Sequence, residues 1–173
     1  MHPWNNWYHI NGSTYGTWLR GDPRGWRARH HREHVDGDYK VPPPPGIYDR
    51  LLAHSQKIMN RPPVHLSPQA ARYACDEFAA SFIKHSIEVL AIAVDDHHYH
   101  ILARFPDHMP RKWVGLAKKD SARLLSDAGF VEKGGVWAVR NRCVPITDRQ
   151  HQLNTYHYIK QHANRGAAVW VFR

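Results

Sequence analysis

The segment Asp95-Asp96-His97-His98-Tyr99-His100-Ile101-Leu102 places two imidazoles two residues apart in an apolar run. Side chains of a β-strand alternate faces, so His98 and His100 point one way and Tyr99 the other. Two imidazoles side by side can hold a metal ion. Downstream, Tyr158 and His162 are spaced i, i+4, which stacks them on one face of a helix. A metal gripped by His162 would sit near the Tyr158 phenol, which makes His162 the natural third ligand. His151 and Thr155 fall on the same stripe and could line the site. A phosphodiester resists attack because its charge repels nucleophiles and its alkoxide leaves poorly. A divalent ion on the non-bridging oxygens offsets the repulsion and orients the scissile group. A phenol can then attack, conserving the bond as a phosphotyrosine that a free hydroxyl can later reverse.

Other assignments compete. Tyr156 is a rival nucleophile, but its i+4 neighbour is Lys160, which cannot ligate while charged, so Tyr156 reads as a packing aromatic. Three histidines would equally suit zinc, with water as fourth ligand for hydrolysis. His97 enlarges the cluster without a role of its own.

These side chains must be held by regular elements. Trp7 to Trp18, rich in aromatic and β-branched residues, contains a first strand, broken by the turn residues Gly21 to Gly25. Tyr48 to Met59 reads as a short amphipathic helix. Ser67-Pro68 starts the next, with the hydroxyl as N-cap and proline in the first turn. It runs to about His85 on an inner stripe of Ala71, Cys75, Phe78 and Phe82. Ile87 to Val94 and His98 to Phe105 form a hairpin turned at Asp95-Asp96, with the histidine pair on its returning strand. Pro110 opens a helix ending near Gly129, with Trp113, Leu116, Ala117, Leu124 and Leu125 inward. Val136 to Val144 is a strand. Thr147 and Gln150 make a capping box for the helix carrying Tyr158 and His162. Gly166 stops that helix before a last strand over 167–172. The order predicts an α+β fold, an antiparallel sheet flanked by helices, of ferredoxin-like type.

At 173 residues the chain is expected to form a single domain over 1–173, with an Arg-rich, Pro-ended loop at about 20–46. Lys and Arg number 24 against 15 Asp and Glu, a formal charge of +9, which favours a polyanionic partner. Cys75 and Cys143 are far apart and form no C-x-x-C pair, so they read as buried thiols rather than a disulfide or zinc knuckle. No apolar run is long enough to span a bilayer, and the first residues lack a signal pattern. A cytoplasmic, nucleoid-associated location is expected.

The two motifs together resemble the single-tyrosine HUH transposases of bacterial insertion sequences and the REP-associated tyrosine transposases. The histidine–hydrophobic–histidine strand of that family reads here His98-Tyr99-His100-Ile101-Leu102. Its nucleophile helix reads Tyr158-Ile159-Lys160-Gln161-His162, and Tyr15-Gly16-Thr17-Trp18-Leu19-Arg20-Gly21-Asp22 is similar to its opening segment. The resemblance covers nearly the whole chain. It implies a ferredoxin-like, RRM-like HUH nuclease fold that cleaves and rejoins single-stranded DNA through a 5′-phosphotyrosine, without ATP. It further implies Tyr158 as nucleophile, His98, His100 and His162 as ligands of Mg2+ or Mn2+, and single-stranded DNA with hairpins as partner. His162 stands where the family usually carries an amide; its imidazole is softer than an amide oxygen, which shifts preference from magnesium toward manganese. That departure leaves a catalytically silent hairpin-binding module as the alternative. Whether Tyr158 meets histidines of its own chain or of a second copy in a homodimer stays open at this level.

For the DNA surface the candidates are Arg24, Arg27, Arg29 and Arg32 in the loop, with Lys118, Lys119, Arg140 and Arg142. Trp26, among the loop arginines, is the expected stacking platform for an unpaired base.

Overall fold

The computed structural model describes residues 4–26 and 44–172. The chain divides into two compact units, residues 1–15 with 64–173, and residues 16–63. Strand β1 (Trp7–Thr14) precedes helices α1 (Asp49–Lys57) and α2 (Pro68–Lys84), strands β2 (Glu88–Val94) and β3 (His98–Arg104), and helix α3 (Pro110–Asp127). Strand β4 (Trp137–Pro145), helix α4 (Arg149–Gln161), a 3-10 turn (His162–Arg165) and strand β5 (Ala168–Val171) complete the order.

In the first unit the five strands form one antiparallel sheet in the order β4-β1-β3-β2-β5. Without α1, the run β1-α2-β2-β3-α3-β4 with β1 and β3 central is the ferredoxin-like βαββαβ arrangement. β5 then adds an edge strand beside β2. The predicted fold class is the one observed.

Local sequence explains the elements. The Ser67 hydroxyl accepts the Ala70 amide 3.2 Å away, and Pro68 occupies the first turn of α2. Ala71, Cys75, Phe78 and Phe82 are all buried, as the helical period requires. In the hairpin turn, Asp95 Oδ1 accepts the amides of His97 (3.0 Å) and His98 (2.7 Å). That side chain therefore closes the turn that launches the histidine strand.

Two details differ from the sequence reading. Helix α4 is capped by Asp148 rather than Thr147: the Asp148 carboxylate accepts the His151 amide at 2.8 Å, and Thr147 Oγ1 instead donates to that carboxylate. An acid three residues before a free amide is as good a cap as a hydroxyl and also suits the positive helix end. In α3 the inward stripe is Val114, Ala117, Ser121 and Leu125, while Leu116 is exposed. The 3.6-residue period admits 114, 117, 121 and 125 on one face, and 116 falls outside it. Ser121 is tolerated inside because its hydroxyl accepts the Trp137 indole N–H at 2.9 Å.

The sheet has two unlike faces. One carries Ile10, Ile92, Val94, Tyr99, Ile101 and Ala103 into a core closed by Phe78 and Phe82 of α2 and Val114 and Leu125 of α3. Gly12 belongs to this face, and a Cβ there would overlap the buried Tyr99 hydroxyl. The other face holds a smaller cluster of Trp7, Ala91, Ala93, Leu102, Ile146 and Ile159 under α4. Ala91 and Ala93 are short enough to let α4 lie close. Burying the Ile159 side chain there contributes about 1.5–3 kcal/mol. Among the described residues no helix is long and apolar enough to cross a membrane.

In the second unit, Ser55 Oγ ties α1 to the Arg20 carbonyl at 2.8 Å. Trp26 is buried with its ring edge-on to Tyr48, 5.4 Å between centroids.

Candidate metal centre

Strand β3 presents His98 and His100 on the α4 face, because Tyr99 between them is committed to the opposite core. Helix α4 supplies the third histidine. Thr155 and Ile159 face the sheet, and His162 follows at the helix end, one more turn along the same stripe. The rings of His98, His100 and His162 converge, with centroids 5.0 Å (98–100), 5.5 Å (98–162) and 4.5 Å (100–162) apart. One ring nitrogen from each lies within 4.8 Å of the others, a group that could hold a metal ion.

Each ring has a polar neighbour at Nδ1, a hydrogen-bonding one for His100 and His162 and a close carboxylate for His98. His98 Nδ1 lies 2.6 Å from Asp95 Oδ2, His100 Nδ1 lies 3.1 Å from His9 Nε2, and His162 Nδ1 lies 2.9 Å from the Tyr158 carbonyl oxygen. A histidine whose Nδ1–H is held by an acceptor keeps its Nε2 lone pair for a metal. The three backing groups differ: a carboxylate, an imidazole and a backbone carbonyl.

Electrostatics favours neutral rings. Burial, helped by the neighbouring His98, His162 and His9, lowers the His100 pKa to about 2. Burial, with His151, Arg142 and His162, lowers His9 to about 4. His162 is lowered by burial too, against the opposing effect of the Tyr158 carbonyl. Burial disfavours the charge of Asp95, but the His98 ring and the amides of His97 and His98 outweigh it and bring the carboxyl down to about 2. Burial thus favours the neutral form of His9, His100 and His162, the form in which an imidazole can ligate a metal.

Tyr158 lies beside this group within one chain. Its ring meets His162 edge-on at 4.7 Å, His100 at 5.2 Å and His9 at 6.0 Å between centroids. His100 and His162 are only 6% and 5% exposed, whereas Tyr158 is 44% exposed. The phenol is thus the most open side chain of the group, with His98 partly exposed beside it. Thr155 is buried under α4, and His151 Nδ1 accepts the Thr147 amide at 3.3 Å. Tyr156 packs with the small apolar cluster.

A second trio, Asp95, His97 and His98, is equally compact. Its carboxylate, however, is already engaged by the His98 ring and two amides, and His97 Nδ1 sits 2.5 Å from Asp96 Oδ1. Asp96 also reaches His65, 3.4 Å away. These groups form an outer layer of alternating imidazoles and carboxylates beyond His98.

The basic candidates are scattered. Arg142 is exposed and opposite Asn11, which is itself opposite His100, so it shares the histidine face. Arg140 is exposed in the irregular stretch of β4. Lys119 is exposed on α3, on the other side of the sheet, and Lys118 is half-buried with its ammonium donating to the Ala138 carbonyl. Burial lowers the Lys118 pKa to about 8. Arg24 is engaged by Asp22 at 2.6 Å and its guanidinium lies over Trp18, 4.7 Å from the ring centroid. Trp26 is 7% exposed, so its face is not offered to a base, and Trp18 is the exposed indole of that unit. Arg27, Arg29 and Arg32 lie outside the described residues.

Sequence reasoning missed His9 and the contact of Asp95 with the His98 ring. Both left a trace: polar residues His9, Asn11 and Ser13 alternate along β1, and Asp95 stands three residues before His98. What pairs β1 with β3 is long-range, so neither trace identified its partner. The sequence matches no protein-family model and no curated protein.

Proposed function

We propose that this protein is a metal-dependent DNA strand transferase that nicks and rejoins single-stranded DNA bearing hairpins, with Tyr158 as nucleophile. The observation that carries this reading is the half-exposed phenol ring set edge-on to His100 and His162, two of three convergent imidazoles. The net charge of +9 suits a polyanionic substrate.

His98, His100 and His162 would hold the ion, with one ring nitrogen from each within 4.8 Å of the others. When bound, a divalent ion such as Mg2+ or Mn2+ supplies Lewis-acid charge at the non-bridging phosphate oxygens. The Tyr158 phenolic oxygen attacks phosphorus as its proton is lost to solvent. The P–O3′ bond breaks, the 3′ oxygen leaves and takes up a proton, and a 5′-phosphotyrosine remains. Attack by another 3′-hydroxyl forms the new P–O3′ bond and returns the phenol. No net oxidation or ATP hydrolysis is involved. Arg142, exposed on the histidine face, would contact the phosphate chain.

Incubation of a 3′-labelled single-stranded hairpin oligonucleotide with protein and Mn2+ tests this. The expected result is a covalent protein–DNA adduct lost in Tyr158→Phe and on chelation. Binding without an adduct would instead identify a hairpin-binding module. Hydrolysis that survives Tyr158→Phe, with stoichiometric zinc, would identify a zinc hydrolase.

A further inference from the structure

The His9 side chain touches both halves of the centre without belonging to either motif. In the sheet register Asn11 is the direct cross-strand partner of His100, and His9 is opposite Leu102. His9 thus reaches His100 along the diagonal, a span that only a long or aromatic side chain covers. It does so with a nitrogen: His9 Nε2 is 3.1 Å from His100 Nδ1, the ring planes 28° apart and the centroids 5.3 Å apart. The same ring meets Tyr158 at 70°, 6.0 Å between centroids.

The chemistry of that contact is constrained. An imidazole can donate from one nitrogen and accept at the other only when neutral. For His100 to offer Nε2 to a metal, its proton must stand on Nδ1, and the atom facing that proton is His9 Nε2. An acceptor at this place holds both the tautomer and the ring plane. His162 obtains the same service from the Tyr158 carbonyl, and His98 Nδ1 has the Asp95 carboxylate as its close neighbour. The third ligand obtains it from a residue ninety-one positions away in sequence.

We propose that His9 is a positioning residue with two contacts: Nε2 fixes His100 as a donor through its own Nε2, and the ring braces the Tyr158 phenol beside that donor. The proposal rests on reading His98, His100 and His162 as a metal centre and Tyr158 as its nucleophile. Because both contacts come from one rigid ring on a central strand, His9 ties the placement of the nucleophile to that of the ligand.

Two variants of the full chain separate the contacts. His9→Gln keeps an acceptor near His100 and removes the ring; His9→Phe keeps a ring against Tyr158 and removes the acceptor. Titration with Co2+ alone, read by its visible absorption, should show His9→Phe weakened about 10- to 100-fold with altered bands. His9→Gln should bind within about threefold of the wild type, since its amide oxygen can replace the acceptor. With saturating Mn2+, His9→Gln should form the DNA adduct about tenfold or more slower, as expected for a misplaced nucleophile. Long-range 15N–1H spectra of the metal-free wild type need no substitution and should show His100 protonated on Nδ1. A His100 protonated on Nε2, or Co2+ affinities and adduct rates in both variants equal to wild type, overturns the role of His9. A wild-type chain that takes up no Co2+ sinks the metal centre itself, and the positioning role with it.

Discussion

One sheet serves two faces that obey opposite rules. Toward α2 and α3 it is dry: Tyr99, Ile101, Phe78 and Phe82 are all buried, and the stacked and edge-on aromatics fill the layer. Toward α4 the same β3 strand carries His98 and His100, the helix rests on two alanines, and buried polar rings replace hydrocarbon. Alternation along seven residues, His98 to Arg104, separates the two. The lesson is that the aromatic face supplies the stability against which the polar face can hold partly desolvated imidazoles. Those rings are tolerated because each has a hydrogen-bonding or charged neighbour at Nδ1.

That contrast can be broken from either side. The largest effect is expected from Tyr158→Phe, which should abolish the DNA adduct while leaving the thermal midpoint and Co2+ affinity close to wild type, since the ring and its contacts remain. An adduct that persists would move the nucleophile elsewhere. Next is Phe78→Ala on the dry face, expected to cost about 3–5 kcal/mol in denaturant unfolding. The folded fraction should still bind Co2+, and a loss of affinity without a loss of stability would show that the faces are not separable.

Acid should act through the polar face. Below pH 6.5 the unfolded chain protonates His9 and His100, whereas the folded chain resists until about pH 4 and about pH 2 respectively. The unfolded state then binds more protons, so stability falls as pH drops below about 6.5. The slope is about 1.4 kcal/mol per pH unit for each such histidine. Asp95, with its pKa brought to about 2, adds loss in the same direction between about pH 4 and 2. Unfolding midpoints recorded from pH 7 to 4 check this, and a flat profile would mean that the two rings are protonated at little cost in the folded state. Asp95→Asn should be milder for folding but lower Co2+ affinity about 10- to 100-fold, by weakening the group that orients His98. Unchanged affinity would mean that Asp95 serves the turn alone. The smallest effect is expected at Leu116→Lys, within about 0.5 kcal/mol in unfolding, because the residue lies off the buried stripe.

Much of this contrast was legible in the residue pattern. The Ser67-Pro68 cap, the stripe at Ala71, Cys75, Phe78 and Phe82, the hairpin turn at Asp95 and the shared face of His98 and His100 all follow from local periodicity and turn chemistry. So does the i, i+4 pairing of Tyr158 with His162. The exposure of Leu116 and the Asp148 cap were misread because neighbouring residues offered an equally plausible pattern one position away. Trp26 was misread for another reason: an indole among arginines carries no local mark of burial, and its contact with Tyr48 spans a segment whose path no periodicity dictates.

Spacing within a strand or a helix is a property of the backbone repeat, so the amino-acid order alone determined which side chains could act in pairs. Bringing β3 to α4, and laying β1 so that His9 reaches His100, depends on contacts 62 and 91 positions apart. Those contacts are chosen by how two faces of one sheet are covered, which no local repeat encodes. The convergence of three imidazoles beside one half-exposed phenol was therefore decided only by the tertiary structure.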